Sequence, residues 1–140
     1  MDFKIVIVED DDTQRTYIKE LVKQWSHSTE NHVKIVTCES AEEFLFLYSE
    51  TMNFDLILLD IQLHKINGME LAKQIRRKDQ SLQIAFLTGV KDYVFEGYEI
   101  GAIRYLLKPV KKSELFKLLE ECFEKSGRNK TEYFVFPYLG

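Results

Sequence analysis

Leu56-Ile57-Leu58-Leu59-Asp60 sets four consecutive aliphatic residues directly before a carboxylate. A run this apolar has no solvent-facing alternation, so it reads as a strand covered on both faces, the habit of a parallel sheet. A carboxylate abutting four buried aliphatics is costly unless it is paired, so Asp60 has a partner or a task. Four more runs of the same kind surround it. Together the five expected strands are residues 3–8, 33–37, 54–59, 82–87 and 103–107.

Helical patterns lie between them. In 13–25 the apolar residues Tyr17, Ile18, Leu21, Val22 and Trp25 share one face. Ser40 and Glu43 have the capping-box spacing and open a helix that carries Ala41, Phe44, Leu45 and Tyr48. A third helix is expected over 68–77 and a shorter one over 92–100, stopping at Gly101. Ser113 is expected to cap a last helix with Leu115, Leu118, Leu119, Cys122 and Phe123 inside. Strand and helix alternating five times predict a doubly wound α/β sandwich with right-handed crossovers. Chemistry is then expected beyond the carboxyl ends of the strands.

Composition narrows the function. The chain has 140 residues, 45% hydrophobic and 30% charged, which suits one domain with a full core and a short tail. A net charge of −4 and a pI near 5.4 offer no basic footprint for nucleic acid or anionic membrane. His27, His32 and His64 have no short metal-ligand spacing. Cys38 and Cys122 read as small buried hydrophobes, since two lone cysteines make no disulfide framework. No signal peptide is visible and no apolar stretch approaches the ~20 residues of a membrane span. A cytoplasmic protein is expected. After the polar stretch 126–132, read as a linker, Tyr133-Phe134-Val135-Phe136 begins another expected strand. Residues 1–125 would then form the main domain, and 133–140 the start of a second.

The residues after the strands carry the chemistry. The first run ends in Glu9-Asp10-Asp11-Asp12, four acids that repel one another unless a cation or solvent absorbs their charge. Asp11 and Asp12 read as acids at a helix N-terminus. With the first and third strands adjacent, Glu9, Asp10 and Asp60 would converge, and three carboxylates suit a hard dication such as Mg2+. Thr88 ends the fourth strand and Lys108-Pro109 the fifth. Taken singly they read as a helix cap and a surface lysine. At one sheet edge, a hydroxyl, an ammonium and a dication around a carboxylate make a site for a phosphoryl group.

The motifs Ile7-Val8-Glu9-Asp10, Leu58-Leu59-Asp60, Asn67-Gly68-Met69-Glu70-Leu71, Leu87-Thr88-Gly89 and Tyr105-Leu106-Leu107-Lys108-Pro109 occur in this order. Over residues 3–125 they resemble the receiver domain of two-component response regulators. The resemblance implies a (βα)5 flavodoxin-like sandwich with a five-stranded parallel sheet in the order 2-1-3-4-5. It implies a signalling switch, not an ordinary enzyme, that takes a phosphoryl group from a sensor histidine kinase onto Asp60. Asp10 would bind Mg2+ (or Mn2+) directly, Glu9 through water, and the backbone carbonyl of Gln62 would be a further ligand. Thr88 and Lys108 would bind the phosphoryl oxygens, Tyr105 would be the aromatic switch residue, and the Lys108–Pro109 peptide would be cis. Glu9 stands where aspartate is commoner. His64 stands where proline is usual and reads as an exposed loop histidine. Tyr93, Tyr98, Gly101, Ala102 and the run from Tyr105 to Val110 resemble the LytTR class. That likeness implies a phosphorylation-dependent homodimer that reaches DNA only through a C-terminal domain, starting at 133–140.

Other readings stay in view. A haloacid-dehalogenase-type phosphatase needs a second aspartate two positions after the nucleophile, where this chain has Gln62. A pseudo-receiver would lack an acid or the lysine, and a stand-alone receiver would act through docking alone. No GxxxxGK run supports a P-loop.

Overall fold

The computed structural model describes residues 2–50 and 53–127. Five strands, β1 (Phe3–Val8), β2 (Val33–Cys38), β3 (Leu56–Leu59), β4 (Gln83–Thr88) and β5 (Arg104–Leu107), alternate with five helices. These are α1 (Asp12–Thr29), α2 (Ala41–Ser49), α3 (Gly68–Lys78), α4 (Val94–Glu99) and α5 (Lys112–Lys125). The strands form one parallel sheet in the order β2-β1-β3-β4-β5, as a doubly wound fold requires. Every strand points the same way, so all five carboxyl ends share one edge.

Alternation within the apolar runs divides the core between the two faces. Val6, Val8, Ile57, Leu59, Ile84 and Phe86 pack with Phe44, Met69, Leu71 and Ile75 of α2 and α3. Ile5, Ile7, Leu56, Leu58, Ala85 and Leu87 pack with Ile18, Val22 and Trp25 of α1 and with Leu115, Leu118 and Leu119 of α5. The near-complete burial of β1, β3 and β4 explains why their sequences show no polar side. Cys38 and Cys122 are free and buried, and burial pushes both thiols up to about 12.

Several boundaries differ from expectation for local reasons. β3 starts at Leu56 instead of Phe54: Phe54 is buried but unladdered, and Asp55 exchanges bonds with Lys4 just outside the sheet. α1 runs a turn past its last apolar residue, with the Ser28 and Thr29 hydroxyls donating to the Trp25 carbonyl and Glu30 closing it in a left-handed conformation. α4 is shorter than 92–100, because residues 92 and 93 form a turn before it. Its end is as expected: Gly101 has φ +84°, its N–H donates to Tyr98, and Ala102 donates to Gly97.

Ser113 does not cap α5. Val110 is drawn into the core and the helix starts two residues later, so Lys111 takes the cap position with no side-chain bond and Ser113 lies inside the first turn. Ser40 does cap α2, accepting from the Glu43 N–H at 3.0 Å, while Glu43 reaches back to the N–H of Glu39 at 2.7 Å, one residue beyond a standard capping box. Of the linker expected over 126–132, only Ser126 and Gly127 are described, and they close α5. The strand expected over 133–140 lies outside the described residues. No described helix is long and apolar enough to cross a membrane.

Candidate functional site

Parallel pairing in register brings the strand ends together. Val8 pairs with Leu59 and Thr88 with Leu107, so Glu9, Asp60, Thr88 and Lys108 all emerge at the same edge. Among the described residues, Glu9, Asp10 and Asp60 each place a ligand oxygen within 4.8 Å of the others. Glu9 and Asp60 are each only 4% exposed, so their charge cannot be left to water.

Lys108 is the compensating group. Its Nζ donates to Glu9 Oε1 at 2.6 Å and to Asp60 Oδ2 at 2.9 Å. Burial works against the Lys108 charge, but the bonds to Glu9 and Asp60 outweigh it and raise its pKa. Burial raises the pKa of Glu9, with neighbouring Asp60 adding to the rise and Lys108 and the Asp11 N–H opposing it. One ammonium thus bridges two of three clustered carboxylates, which leaves an acid surplus made only of hard oxygen donors. That donor set fits a hard dication such as Mg2+.

The main chain shapes the remaining wall. Asp60 Oδ1 accepts from the Gln62 N–H at 3.2 Å, which turns the chain sharply behind the strand. The Gly68 N–H donates to the Ile61 carbonyl at 2.8 Å, and Asn67 caps α3 by accepting from the Glu70 N–H. A Cβ at Gly68 would lie 2.0 Å from the Asp60 carbonyl oxygen, so only glycine lets α3 start this close to Asp60. Thr88 is fully buried, and its hydroxyl oxygen accepts from the Val90 N–H at 3.3 Å. Its carbonyl accepts from the Lys108 N–H at 2.9 Å, tying β4 to the lysine. The Lys108–Pro109 peptide is cis.

Tyr105 lies inward, 9% exposed, with its ring 5.5 Å from Phe86 and its hydroxyl donating to the Val90 carbonyl. Gly97 makes room for it, since a Cβ there would meet the Phe86 and Tyr105 rings at 3.2 Å. Asp11 and Asp12 stand at the start of α1, where Asp11 accepts from the Thr13 N–H. His64 is exposed, and its Nε2 lies 3.3 Å from Asp10 Oδ2.

Two arginines make bonds that the sequence pattern does not mark. Arg15 donates to the Glu9 carbonyl at 2.8 Å and also pairs with Asp12 and Glu39. Arg76 bonds the carbonyls of Asp79, Leu82, Ile100 and Gly101, joining α3 to the end of α4. The hint for Arg15 was an arginine three residues after an acid at a helix start, a pattern too common to single out.

The response regulator receiver domain family matches residues 5–120. Among curated proteins, the chain is 39% identical over 135 residues to the sensory transduction protein LytT of Oceanobacillus iheyensis, covering 93% of this chain and 51% of that protein. It is 32% identical over 129 residues to the alkaline phosphatase synthesis transcriptional regulatory protein PhoP of Bacillus subtilis, covering 90% and 50% respectively. The chain spans about half the length of these relatives. Among solved structures, the response regulatory domain of mrkE from Klebsiella pneumoniae superimposes with a TM-score of 0.79 at 25% identity, over 89% of this chain and 98% of that one. The Thermotoga maritima response regulator TrrA in complex with Mg2+–BeF does so at 0.75 and 29% identity, over 87% and 99%. Sheet order, strand-end acids and sequence match agree, and the chain belongs to the response regulator receiver domain family, the signalling switch of two-component systems, with transcriptional regulators among its relatives.

Proposed function

We propose that this domain accepts a phosphoryl group on Asp60 from the phosphohistidine of a partner sensor kinase and relays that event through Thr88, Lys108 and Tyr105. The observation that carries the reading is the buried Asp60 carboxylate, held between Lys108 and the acids Glu9 and Asp10. Glu9, Asp10, Asp60 and the Gln62 carbonyl would hold Mg2+ or Mn2+. When bound, the ion neutralises charge on the phosphoryl oxygens and draws the donor to the carboxylate.

An Asp60 oxygen attacks phosphorus, the P–N bond to the donor imidazole breaks, and the imidazole leaves with the electron pair and takes a proton. Lys108 is already within hydrogen-bond reach of Asp60 and meets an incoming phosphoryl oxygen with little motion. Water later cleaves the acyl phosphate, restoring the carboxylate and releasing inorganic phosphate. The domain's contribution is positioning and charge neutralisation, which is why it acts as a switch.

The relay follows from what Thr88 and Tyr105 touch. Thr88 shares the β4 end with Val90, whose N–H it accepts from and whose carbonyl Tyr105 holds. A phosphoryl group that draws Thr88 toward Asp60 disturbs this loop and the Tyr105 ring beneath α4, biasing two arrangements of α4 and β5. Phe95, Tyr98 and Leu107 are exposed there at 78%, 46% and 44%, a surface suited to a second copy of the domain. The similarity to LytT and the length of the curated relatives support an LytTR-class protein in which dimerisation would bring DNA-binding domains together. A cytoplasmic location goes with that role. A pseudo-receiver or stand-alone docking module is the competing reading, and retention of Asp10, Asp60, Thr88 and Lys108 favours the active switch.

The test is intact mass after incubation with acetyl phosphate, with and without Mg2+, beside Asp60→Asn. One phosphoryl group is expected, dependent on Mg2+ and absent in the variant. A folded protein that gains no mass under any condition would leave the pseudo-receiver as the better reading.

A further inference from the structure

We infer that Arg15 is the positioning residue of the cation site, holding the Glu9–Asp10 turn in the shape that receives the dication. The inference rests on the reading of Glu9, Asp10 and Asp60 as the groups that would hold Mg2+.

β1 ends at Val8, so the Glu9 main chain leaves the ladder just where its side chain and that of Asp10 must be aimed. Three bonds fix that turn. The Glu9 N–H donates to the Cys38 carbonyl at 3.1 Å, and the Asp11 N–H donates to Glu9 Oε2 at 3.1 Å. The third comes from Arg15, whose Nη1 donates to the Glu9 carbonyl at 2.8 Å. Its Nη2 faces Asp12 Oδ1 and, at 3.4 Å, Glu39 Oε1 from the loop after β2. One guanidinium therefore ties the ends of β1 and β2 to the first turn of α1. The Arg15 side chain is only 15% exposed, although both partner carboxylates lie largely in solvent.

Two effects of opposite sign follow from a cation placed there. The charge of Arg15 repels a dication, whereas its fork preserves the ligand geometry. The charge is already matched by Asp12 and Glu39, whose carboxylates lie largely in solvent, where such interactions are weak and screened. No other bond to the Glu9 carbonyl appears among the described residues, so the loss of geometry dominates. Lysine keeps the charge but not the planar fork that serves three acceptors together.

The experiment measures Mg2+ and Mn2+ affinity by calorimetry for the wild-type chain, Arg15→Lys and Arg15→Met, with urea midpoints to establish that each is folded. Both variants are expected to bind either ion about tenfold more weakly, the scale of losing an outer-shell partner. The Mg2+ concentration for half-maximal phosphorylation by acetyl phosphate should rise by the same factor, while the plateau rate falls far less. A lower urea midpoint with unchanged affinity would reduce Arg15 to a stabilising contact and overturn the inference. Tighter binding by Arg15→Met with Arg15→Lys unchanged would overturn it too, leaving charge as the only effect. A wild-type chain that binds neither ion would remove the cation reading itself, and this inference with it.

Discussion

Asp60 and Gly68 are eight positions apart and function as one feature. The carboxylate needs a rigid wall behind it, and that wall is built from main chain pressed so close that no side chain fits. Gly68→Ala is therefore expected to destabilise by about 3 kcal/mol, the upper range for overpacking, since backbone atoms must move. The same shift displaces Asp60, so urea unfolding and acetyl phosphate labelling should both suffer. Normal labelling in a destabilised variant would show that the loop yields without moving the carboxylate. Lys108 teaches a related lesson. The sequence marked it as a partner for phosphate, and in the structure it spans Glu9 and Asp60, so the same ammonium compensates the acids before any phosphoryl group arrives. Glu9, Asp10, Asp60, Thr88 and Lys108 were legible because each lies at the end of a strand or just beyond it. Arg15 was not, because its meaning depends on Glu39, brought near by folding from 24 residues away.

At the scale of elements, strands were easier to read than helix ends. β1, β3 and β4 are buried on both faces, and burial of that kind is written directly into composition. Ends depend on hydrogen bonds that hydropathy does not record, as in the hydroxyl-closed final turn of α1 and the cap-less start of α5. The junction of α3 with β4 is a sharper case. Asp79 accepts from the Tyr48 hydroxyl at 2.9 Å, the Ser81 hydroxyl at 2.7 Å and the N–H groups of Ser81 and Leu82. Burial alone would raise its pKa, but the bonds from Ser81, Tyr48 and Leu82 prevail and lower it. A lowered carboxylate pKa stabilises the fold above the ordinary value of 3.8 and loses that contribution as pH falls through its folded value. Asp79→Ala should cost about 1–2 kcal/mol at neutral pH, a figure discounted for partial exposure. Urea unfolding at several pH values checks it: the gap from wild type should close in acid, and a gap independent of pH would mean packing, not charge.

Across the whole molecule, the sheet separates two layers with different duties. The layer of α2, α3 and α4 carries the Tyr105 ring and the Arg76 bonds that join α3 to the end of α4, so it lies on the proposed relay. The layer of α1 and α5 closes the opposite face around Trp25, the single tryptophan of the chain. Trp25 is 1% exposed, lies edge-on to Phe3 and Phe123, and donates its indole N–H to Glu120 at 2.9 Å. Phe3 begins β1 and Glu9 follows its last residue, so the indole environment is roughly 20 Å from the acids at about 3.3 Å per strand residue. Its fluorescence should therefore be emitted from a dry, unchanging pocket, with the same blue-shifted maximum before and after phosphorylation. It should shift to the red only when α1 and α5 part from the sheet in urea, and a shift on phosphorylation alone would mean that both layers move. In the expected case the protein contains an optical gauge of its own folding that is blind to the message it carries.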